Sequence, residues 1–134
     1  MRAGVLASAF LLNASAAMAQ APTDLSLPVA VLGGLDKVTA RVVTMEAPVG
    51  EPVRFGNLEI IVRACKKHRP EESPESAAFV DVWEMRADGP AQSLFRGWMF
   101  ASSPALSAME HPVYDLWVLD CVNDTQSPGA KGAR

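Results

Sequence analysis

The sequence predicts an all-β domain, a small sandwich or barrel of about six short strands with one short helix before the last strand. One observation behind this prediction is that apolar and β-branched residues alternate with polar ones over several short stretches, which is the period of a half-buried strand. The other is that Gly, Pro, Asn and Asp separate these stretches at intervals of roughly eight to twelve residues, as in hairpin-connected sandwiches and barrels.

Residues 1–19 are expected to be a cleavable signal peptide. Arg2 supplies a positive charge, an apolar run follows, and Ala17 and Ala19 fit the small-residue pattern of a cleavage site. Polar residues interrupt the apolar run, whereas a membrane span needs about 20 predominantly apolar residues. We therefore expect an exported periplasmic protein that begins at Gln20, is soluble after cleavage and keeps no membrane span.

Cleavage would leave 134 minus 19, or 115, residues, which is the size of one domain. Residues 20–34 are expected to be a flexible leader, residues 35–122 the β domain, and residues 123–134 a disordered tail. The formal net charge is −3. The dense basic cluster at residues 63–69 is followed at once by glutamates, so we expect no nucleic-acid partner.

The first predicted strand and the first predicted hairpin rest on local sequence patterns. Residues 37–45 are β-branched and largely alternating, which predicts a strand with one face on the core. Gly56 and Asn57 separate the apolar stretches 53–55 and 58–65, and a two-residue loop with Gly first favours a type II′ turn. A β-hairpin is therefore predicted here.

A second hairpin is predicted further along the chain. Residues 66–77 are charged and contain two prolines, which indicates a surface loop. Residues 78–85 and 93–100 then read as two strands, and Gly97 within the second marks a bulge or a close backbone approach.

The short helix is predicted from its first residues. Ser103 followed by Pro104 offers a capping hydroxyl and a proline at the first helical position. Pro112 disfavours helical conformation at the residue before it, so the helix is expected to end near Glu110. Residues 114–121 form the last predicted strand.

Cys65 and Cys121 are the chain's two cysteines, and both lie at the C-terminal ends of predicted strands. Export to an oxidising compartment favours a disulfide between them. Bonded cysteines need Cα atoms about 4.4 to 6.8 Å apart, so the strands must be parallel neighbours or face each other across two packed sheets. Strict alternation along the strand would turn Cys65 away from the face of Ile60 and Val62.

Several segments of the sequence resemble one known family. The longest are GWMFASSPALS (97–107), EHPVYD (110–115) and WVLDC (117–121), and shorter ones are LDKVT (35–39), VGE (49–51), FGNLEI (55–60) and RAC (63–65). Together they resemble the domain of unknown function 2155, DUF2155, from about residue 35 to residue 121. That family consists mainly of small exported alphaproteobacterial proteins, so the resemblance implies a periplasmic location. It implies no activity.

The resemblance marks a set of candidate binding residues: Trp98, Ser102, Ser103, Glu110, His111, Tyr114 and Asp115. Most of them lie in residues 102–114, which we call the signature loop. Loops on a rigid β scaffold commonly carry recognition. We therefore predict a non-catalytic periplasmic module that binds or organises an envelope protein or a small ligand.

An alternative function is a small envelope hydrolase that uses Ser102 or Ser103 with His111. Together with Asp115 these residues have the types of a catalytic triad. The sequence lacks the Gly-x-Ser-x-Gly turn of many exported esterases. A structural interpretation is simpler, because Ser103 would cap the helix and His111 would hydrogen-bond the return into the last strand.

Zinc is a second alternative, since Cys65, His68, His111 and Cys121 have the side chains of a tetrahedral site. Their spacing is not that of paired zinc knuckles, and export favours the disulfide. We expect no bound metal and no cofactor.

Two glycan-related interpretations also come from residue types. Trp83, Trp98 and Trp117 could line a groove for a sugar or peptide, although a Trp on an alternating strand more often belongs to the core. Glu84 with Glu110 or Asp115 could form a glycosidase pair, which requires two carboxyl groups roughly 5 to 9 Å apart. Spacing in the sequence fixes no such distance.

Overall fold

The polypeptide forms two antiparallel β-sheets in a computed structural model, which describes residues 24–124 and the isolated Gly4. The strands of this described part are β1 (Leu25–Ser26), β2 (Val29–Asp36), β3 (Arg41–Pro48), β4 (Pro52–Phe55), β5 (Leu58–Lys67), β6 (Ser76–Glu84), β7 (Gln92–Phe100) and β8 (Tyr114–Val122). The larger sheet has the order β1-β5-β6-β7, with β4 also paired to β5, and the smaller sheet has the order β3-β2-β8. The predicted all-β class is confirmed.

The two sheets share one hydrophobic core. Strands β5 and β6 alternate buried and more exposed residues, and their inward side chains meet those of β2 and β8. The largest buried core side chains are Leu32, Leu58, Ile60, Val62, Val80, Val82 and Val118. Burying one such side chain contributes about 1.5 to 3 kcal/mol, so this layer is the main stabilising element of the sandwich.

Strand β2 corrects the predicted start of the folded domain. It occupies Val29–Asp36, most of which falls in the predicted leader 20–34, and it is the central strand of the smaller sheet. Its sequence is a nearly continuous apolar run, which is typical of a strand buried on both faces and shows no alternation.

The predicted strand at residues 37–45 is correct only in its second half. Residues 37–40 form the turn between β2 and β3. The Asp36 carboxylate accepts hydrogen bonds from the backbone N–H groups of Val38 (2.9 Å) and Thr39 (3.3 Å). Ala40 has a positive φ of 54°. An Asx-type turn therefore reverses the chain where alternation suggested a strand.

Both predicted hairpins are confirmed. Phe55 pairs with Leu58 across a two-residue loop, and Gly56 has a φ of +56° as the first position of a type II′ turn requires. Strands β6 and β7 form the second hairpin. Of the two alternatives predicted for Gly97, a bulge or a close backbone approach, the bulge is wrong, because Gly97 pairs regularly with Val80 and the register shift lies nearer the hairpin turn.

The predicted helix is wrong, since residues Pro104–Ser107 form a single 3-10 turn. The Ser103 side chain makes no capping hydrogen bond, and Ala108 is already extended. None of the four residues of the turn is buried. Without an apolar face packed on the core, a first turn gains too little to propagate into an α-helix.

The disulfide between Cys65 and Cys121 is confirmed, with Cα atoms 5.8 Å apart. It joins β5 of the larger sheet to β8 of the smaller one, so the strands face each other across the sandwich. The predicted facing of Cys65 is wrong. A β-bulge between Val62 and Ala64 adds one residue and returns Cys65 to the buried face of Val62.

Several predictions concern residues outside the described part of the chain. The predicted signal peptide 1–19 apart from Gly4, residues 20–23 of the leader and residues 125–134 of the tail fall there. Among the described residues, no helix is long and apolar enough to cross a membrane.

Candidate functional site

The start of the signature loop is held by Glu75, which immediately precedes β6. One carboxylate oxygen accepts the backbone N–H groups of Ser76 (3.0 Å) and Ser102 (3.1 Å), and the other accepts the Ser102 hydroxyl. Ala101 adds a backbone hydrogen bond to the Ser76 carbonyl at 2.8 Å. Desolvation raises the pKa of Glu75, but hydrogen bonds from Ser102 and Ser76 outweigh it, so this pKa lies below its usual value.

The end of the signature loop is organised by His111. Its Nδ1 accepts the backbone N–H groups of Val113 (3.1 Å) and Tyr114 (3.2 Å). Its proton therefore resides on Nε2, which donates to the Glu84 carboxylate at 3.2 Å. The imidazole is only 7% exposed. His111 thus fixes the chain as it enters β8.

Lys37 ties the β2–β3 turn to the same place. Its ammonium donates to the His111 carbonyl at 2.9 Å and pairs with Asp115 at 2.9 Å, and its backbone N–H donates to the Val113 carbonyl at 2.8 Å. Both partners of the ion pair are partly exposed, so the pair contributes at most about 1 kcal/mol. Its main effect is to position the Asp115 carboxylate at the rim of the site.

Tyr114 lies buried under this region and contacts the β4–β5 hairpin. Its hydroxyl accepts the Asn57 backbone N–H at 3.4 Å, and its ring meets Phe55 edge-on at 5.3 Å between centroids. The same ring lies 5.2 Å from the His111 imidazole. Tyr114 therefore links the hairpin turn to the signature loop.

Two adjoining depressions open beside the signature loop. The first, which we call the charged cleft, has a volume of about 410 Å³ and is lined by Lys37, Met109, Glu110, His111, Pro112 and Asp115. The second, which we call the Trp117 groove, has a volume of about 420 Å³ and is lined by Pro104, Ala105, Ala108, Met109, Asp115, Leu116 and Trp117. Met109 and Asp115 belong to both, so the two form one continuous surface.

The wall of the Trp117 groove depends on a glycine in the neighbouring strand. Gly33 pairs with Trp117 across the smaller sheet. A Cβ atom on Gly33 would lie only 2.3 Å from the indole ring. Because Gly33 has no side chain, the indole can lie directly against the β2 backbone.

The structure brings together only part of the predicted binding set. Glu110, His111 and Asp115 line the charged cleft. Tyr114 is buried beside His111. The remaining three residues line neither depression: Ser102 holds the loop on Glu75, Ser103 is exposed before the 3-10 turn, and Trp98 packs edge-on against Phe79 on the larger sheet.

The hydrolase triad is not assembled in the described residues. Ser102 donates its hydroxyl to Glu75, both ring nitrogens of His111 bond other groups, and Asp115 pairs with Lys37. No serine hydroxyl of this part of the chain is hydrogen-bonded to His111.

The four-residue zinc set is excluded by the disulfide, which consumes both thiols. The two histidines also have separate surroundings. His68 lies near Asp24 (3.7 Å) and Glu72 (3.9 Å), whereas His111 contacts Glu84.

The groove suggested for three tryptophans does not form. Trp83 and Trp98 alternate with core residues on the larger sheet and face outward, whereas Trp117 lies on the smaller sheet. Glu84, one half of the suggested glycosidase pair, is hydrogen-bonded to His111 and lines neither depression.

Sequence reasoning missed three contributors to this site. Met109 is buried and lines both depressions. Lys37 belongs to the segment LDKVT (35–39), which resembles the family. That resemblance was the one sequence signal that could have marked Lys37 as a site residue. Glu75 had no signal, because it looks like any other carboxylate of a charged loop.

Replacing Glu75 by Gln is expected to reduce the pH dependence of stability. Because its pKa is lowered in the folded protein, Glu75 contributes stability above its ordinary value of 4.5 and loses this contribution as pH falls through the lowered value. The wild type should therefore lose more thermal stability than the variant between about pH 6 and about pH 3. Melting temperatures across this range test it, with the exposed Glu71→Gln as control. Parallel curves of melting temperature against pH for wild type and Glu75→Gln would contradict this contribution of Glu75 to stability.

The sequence of this chain is similar to sequences of other bacterial proteins. A family model described as "Uncharacterized protein conserved in bacteria (DUF2155)" matches residues 30–121. An uncharacterised protein of Rickettsia prowazekii (strain Madrid E) is 33% identical over 87 residues, which are 65% of this chain and 56% of that protein. The chain thus spans about half the length of this curated relative. No solved structure matches the chain significantly.

Proposed function

The chain belongs to the DUF2155 family of proteins conserved in bacteria, and we propose that it is a non-catalytic binding module of the bacterial cell envelope. It recognises an extended segment of a partner protein through the Trp117 groove and the charged cleft. The observation that carries this proposal is the continuity of the two depressions through Met109 and Asp115. Family membership confirms the resemblance read from the sequence.

The chemistry of the Trp117 groove suits an extended apolar peptide. The buried residues Met109 and Leu116 line it, together with the half-buried Trp117. Ala105 and Ala108 are small, so a partner backbone can approach closely. Aromatic-lined grooves of this kind are used to bind extended, proline-rich segments.

The charged cleft supplies polar recognition at one end of the groove. Lys37, Glu110 and Asp115 offer donors and acceptors around it. The Glu75 and His111 hydrogen bonds hold the loop at both ends before any partner binds. Less ordering is then needed on binding, which favours affinity.

The proposed location is the periplasm. The signal-like residues 1–19 support it, because their charge, apolar run and small residues match an export signal. The Cys65–Cys121 disulfide also supports it, since such bonds persist in oxidising compartments.

Site-specific photo-cross-linking in cells tests the proposed function. Leu106 follows the groove residue Ala105 in the chain and is 74% exposed, so a photo-reactive residue there leaves the fold intact. We expect a discrete adduct whose mass spectrum contains a peptide of an envelope protein. The matched control is Leu119, which is 45% exposed on β8 and lines neither depression. No adduct at residue 106, or the same adduct at both positions, would contradict the proposal.

The peptide identified in this way gives a quantitative prediction. The variant Leu106→Asp should weaken its binding to the purified protein about tenfold, because a carboxylate replaces an exposed apolar side chain that adjoins the groove residue Ala105. Leu119→Asp should leave the affinity within about twofold. Titration calorimetry measures both, and equal affinities for the two variants would refute the groove as the binding site.

A further inference from the structure

The outer face of the larger sheet carries an arginine pair that the proposed function does not use. Val80 and Val82 of β6 point into the core, so Asp81 between them projects to the outer face. Arg96 of β7 lies directly opposite Asp81, and Arg63 of β5 reaches it from the other side. Two guanidinium groups from different strands thus converge on one carboxylate.

The geometry leaves most of the arginine hydrogen-bonding capacity open. Arg63 and Arg96 approach the same Asp81 oxygen at 3.5 and 4.0 Å, and their side chains are 49% and 67% exposed. The Asp81 side chain is only 3% exposed, and its other oxygen has no hydrogen-bond partner in the described structure. Each guanidinium carries five N–H donors, so both can still donate to an anion from solvent. Two positive charges on one carboxylate leave a net charge of +1.

A β-bulge explains how Arg63 comes to lie there. The register shift between Val62 and Ala64 makes Arg63 the extra residue of β5. Bulges redirect side chains and recur next to functional sites. Arg63 also lines a depression of about 500 Å³ that opens at this bulge. One member of the pair, Arg63, therefore borders a concave surface.

An exposed aromatic ring stands beside the pair on β7. Trp98 follows Arg96 on the same face, two residues along the strand, and is 36% exposed. Its ring is held edge-on against Phe79, with centroids 5.6 Å apart. A fixed, partly exposed indole offers a flat apolar surface with a polar edge, on which a sugar ring can stack.

We propose that this face binds an acidic polysaccharide. Arg63 and Arg96 bind a carboxylate of the polymer, Trp98 stacks on an adjacent sugar ring, and Asp81 is a positioning residue that holds the two guanidinium groups side by side. Local charge complementarity supports this occupant, because Arg63 and Arg96 together outweigh the single charge of Asp81 on this face. Arginine is suited to it, since its planar donors match a carboxylate in a bidentate way. A nucleic acid would need a longer basic track to engage several phosphates.

Affinity measurements with polygalacturonate, a polymer with one carboxylate on each sugar, test the proposal. Wild-type protein should bind polygalacturonate and should not bind neutral dextran. Arg96→Gln and Arg63→Gln should each weaken binding about tenfold. Trp98→Leu should weaken binding to the polymer and leave the response to salt unchanged, because it removes stacking and no charge.

Arg54→Gln is the matched control, because it removes the same charge from the surface. Arg54 is 62% exposed and pairs with Glu59 instead of Asp81. It should change the affinity less than about twofold, and melting curves of all variants should show that each is folded. Equal losses for Arg54→Gln and Arg96→Gln would overturn the proposal in favour of general charge attraction. Tighter binding of single-stranded DNA than of polygalacturonate would also overturn it and would assign the face to nucleic acid.

Discussion

Replacing both Cys65 and Cys121 by alanine is expected to lower the free energy of unfolding by about 4 kcal/mol, because the unfolded chain then loses a cross-link. The two residues are 56 positions apart, and closing a loop of that length restricts the unfolded ensemble strongly. Both half-cystines are also buried in the core between the sheets. For one small domain, a loss of this size is a large part of the total stability. Urea unfolding of the oxidised wild type and the double variant measures it.

The reduced wild type is the control for this experiment. Reduction removes the cross-link and keeps both sulfur atoms, so its urea midpoint should fall close to that of the double variant. Thiol labelling of the denatured, unreduced protein should find no free cysteine. Equal stability of the oxidised protein and the double variant would show that the bond does not stabilise the fold.

The features that the sequence predicts correctly depend on local or chemical rules. A two-residue loop with Gly first specifies the hairpin at Gly56, whatever surrounds it. The disulfide follows from export and from the presence of just two cysteines. Neither inference needs knowledge of which strands are neighbours in space.

The features that the sequence misses depend on tertiary context. Strand β2 is central in its sheet and buried along most of its length, so its apolar residues do not alternate with polar ones. The sequence pattern of a half-buried strand is therefore absent. The facing of Cys65 was wrong because one bulged residue, Arg63, reverses the alternation after it. No pattern in the sequence around Arg63 predicts this bulge.

The candidate site was only partly predictable for the same reason. His111 and Asp115 lie close together in sequence and meet at the charged cleft. Glu75 and Lys37 come from other strands' loops and reach the signature loop only after the sheets have packed. Their roles follow from hydrogen bonds across the fold and not from spacing along the chain.

Replacing Gly56 by Ala is expected to lower the free energy of unfolding by about 2 to 4 kcal/mol, for two reasons that add. Gly56 has a φ of +56°, a conformation that costs an L-residue about 1 to 2 kcal/mol. A Cβ atom there would also lie 2.3 Å from the Tyr114 hydroxyl, so the buried tyrosine must move. Thermal and urea unfolding of the variant give the size of the loss.

Gly50→Ala separates these two reasons. Gly50 has a φ of +87°, and a Cβ atom on it would have no neighbour within 4 Å, so this control keeps the backbone strain and lacks the clash. It should lose only about 1 to 2 kcal/mol. The difference between the two variants then measures the cost of displacing Tyr114. Because Tyr114 contacts His111, that displacement should also weaken cross-linking from residue 106, whereas Gly50→Ala should not. Equal losses in the two variants, with cross-linking preserved in both, would show that Tyr114 does not couple the hairpin to the signature loop.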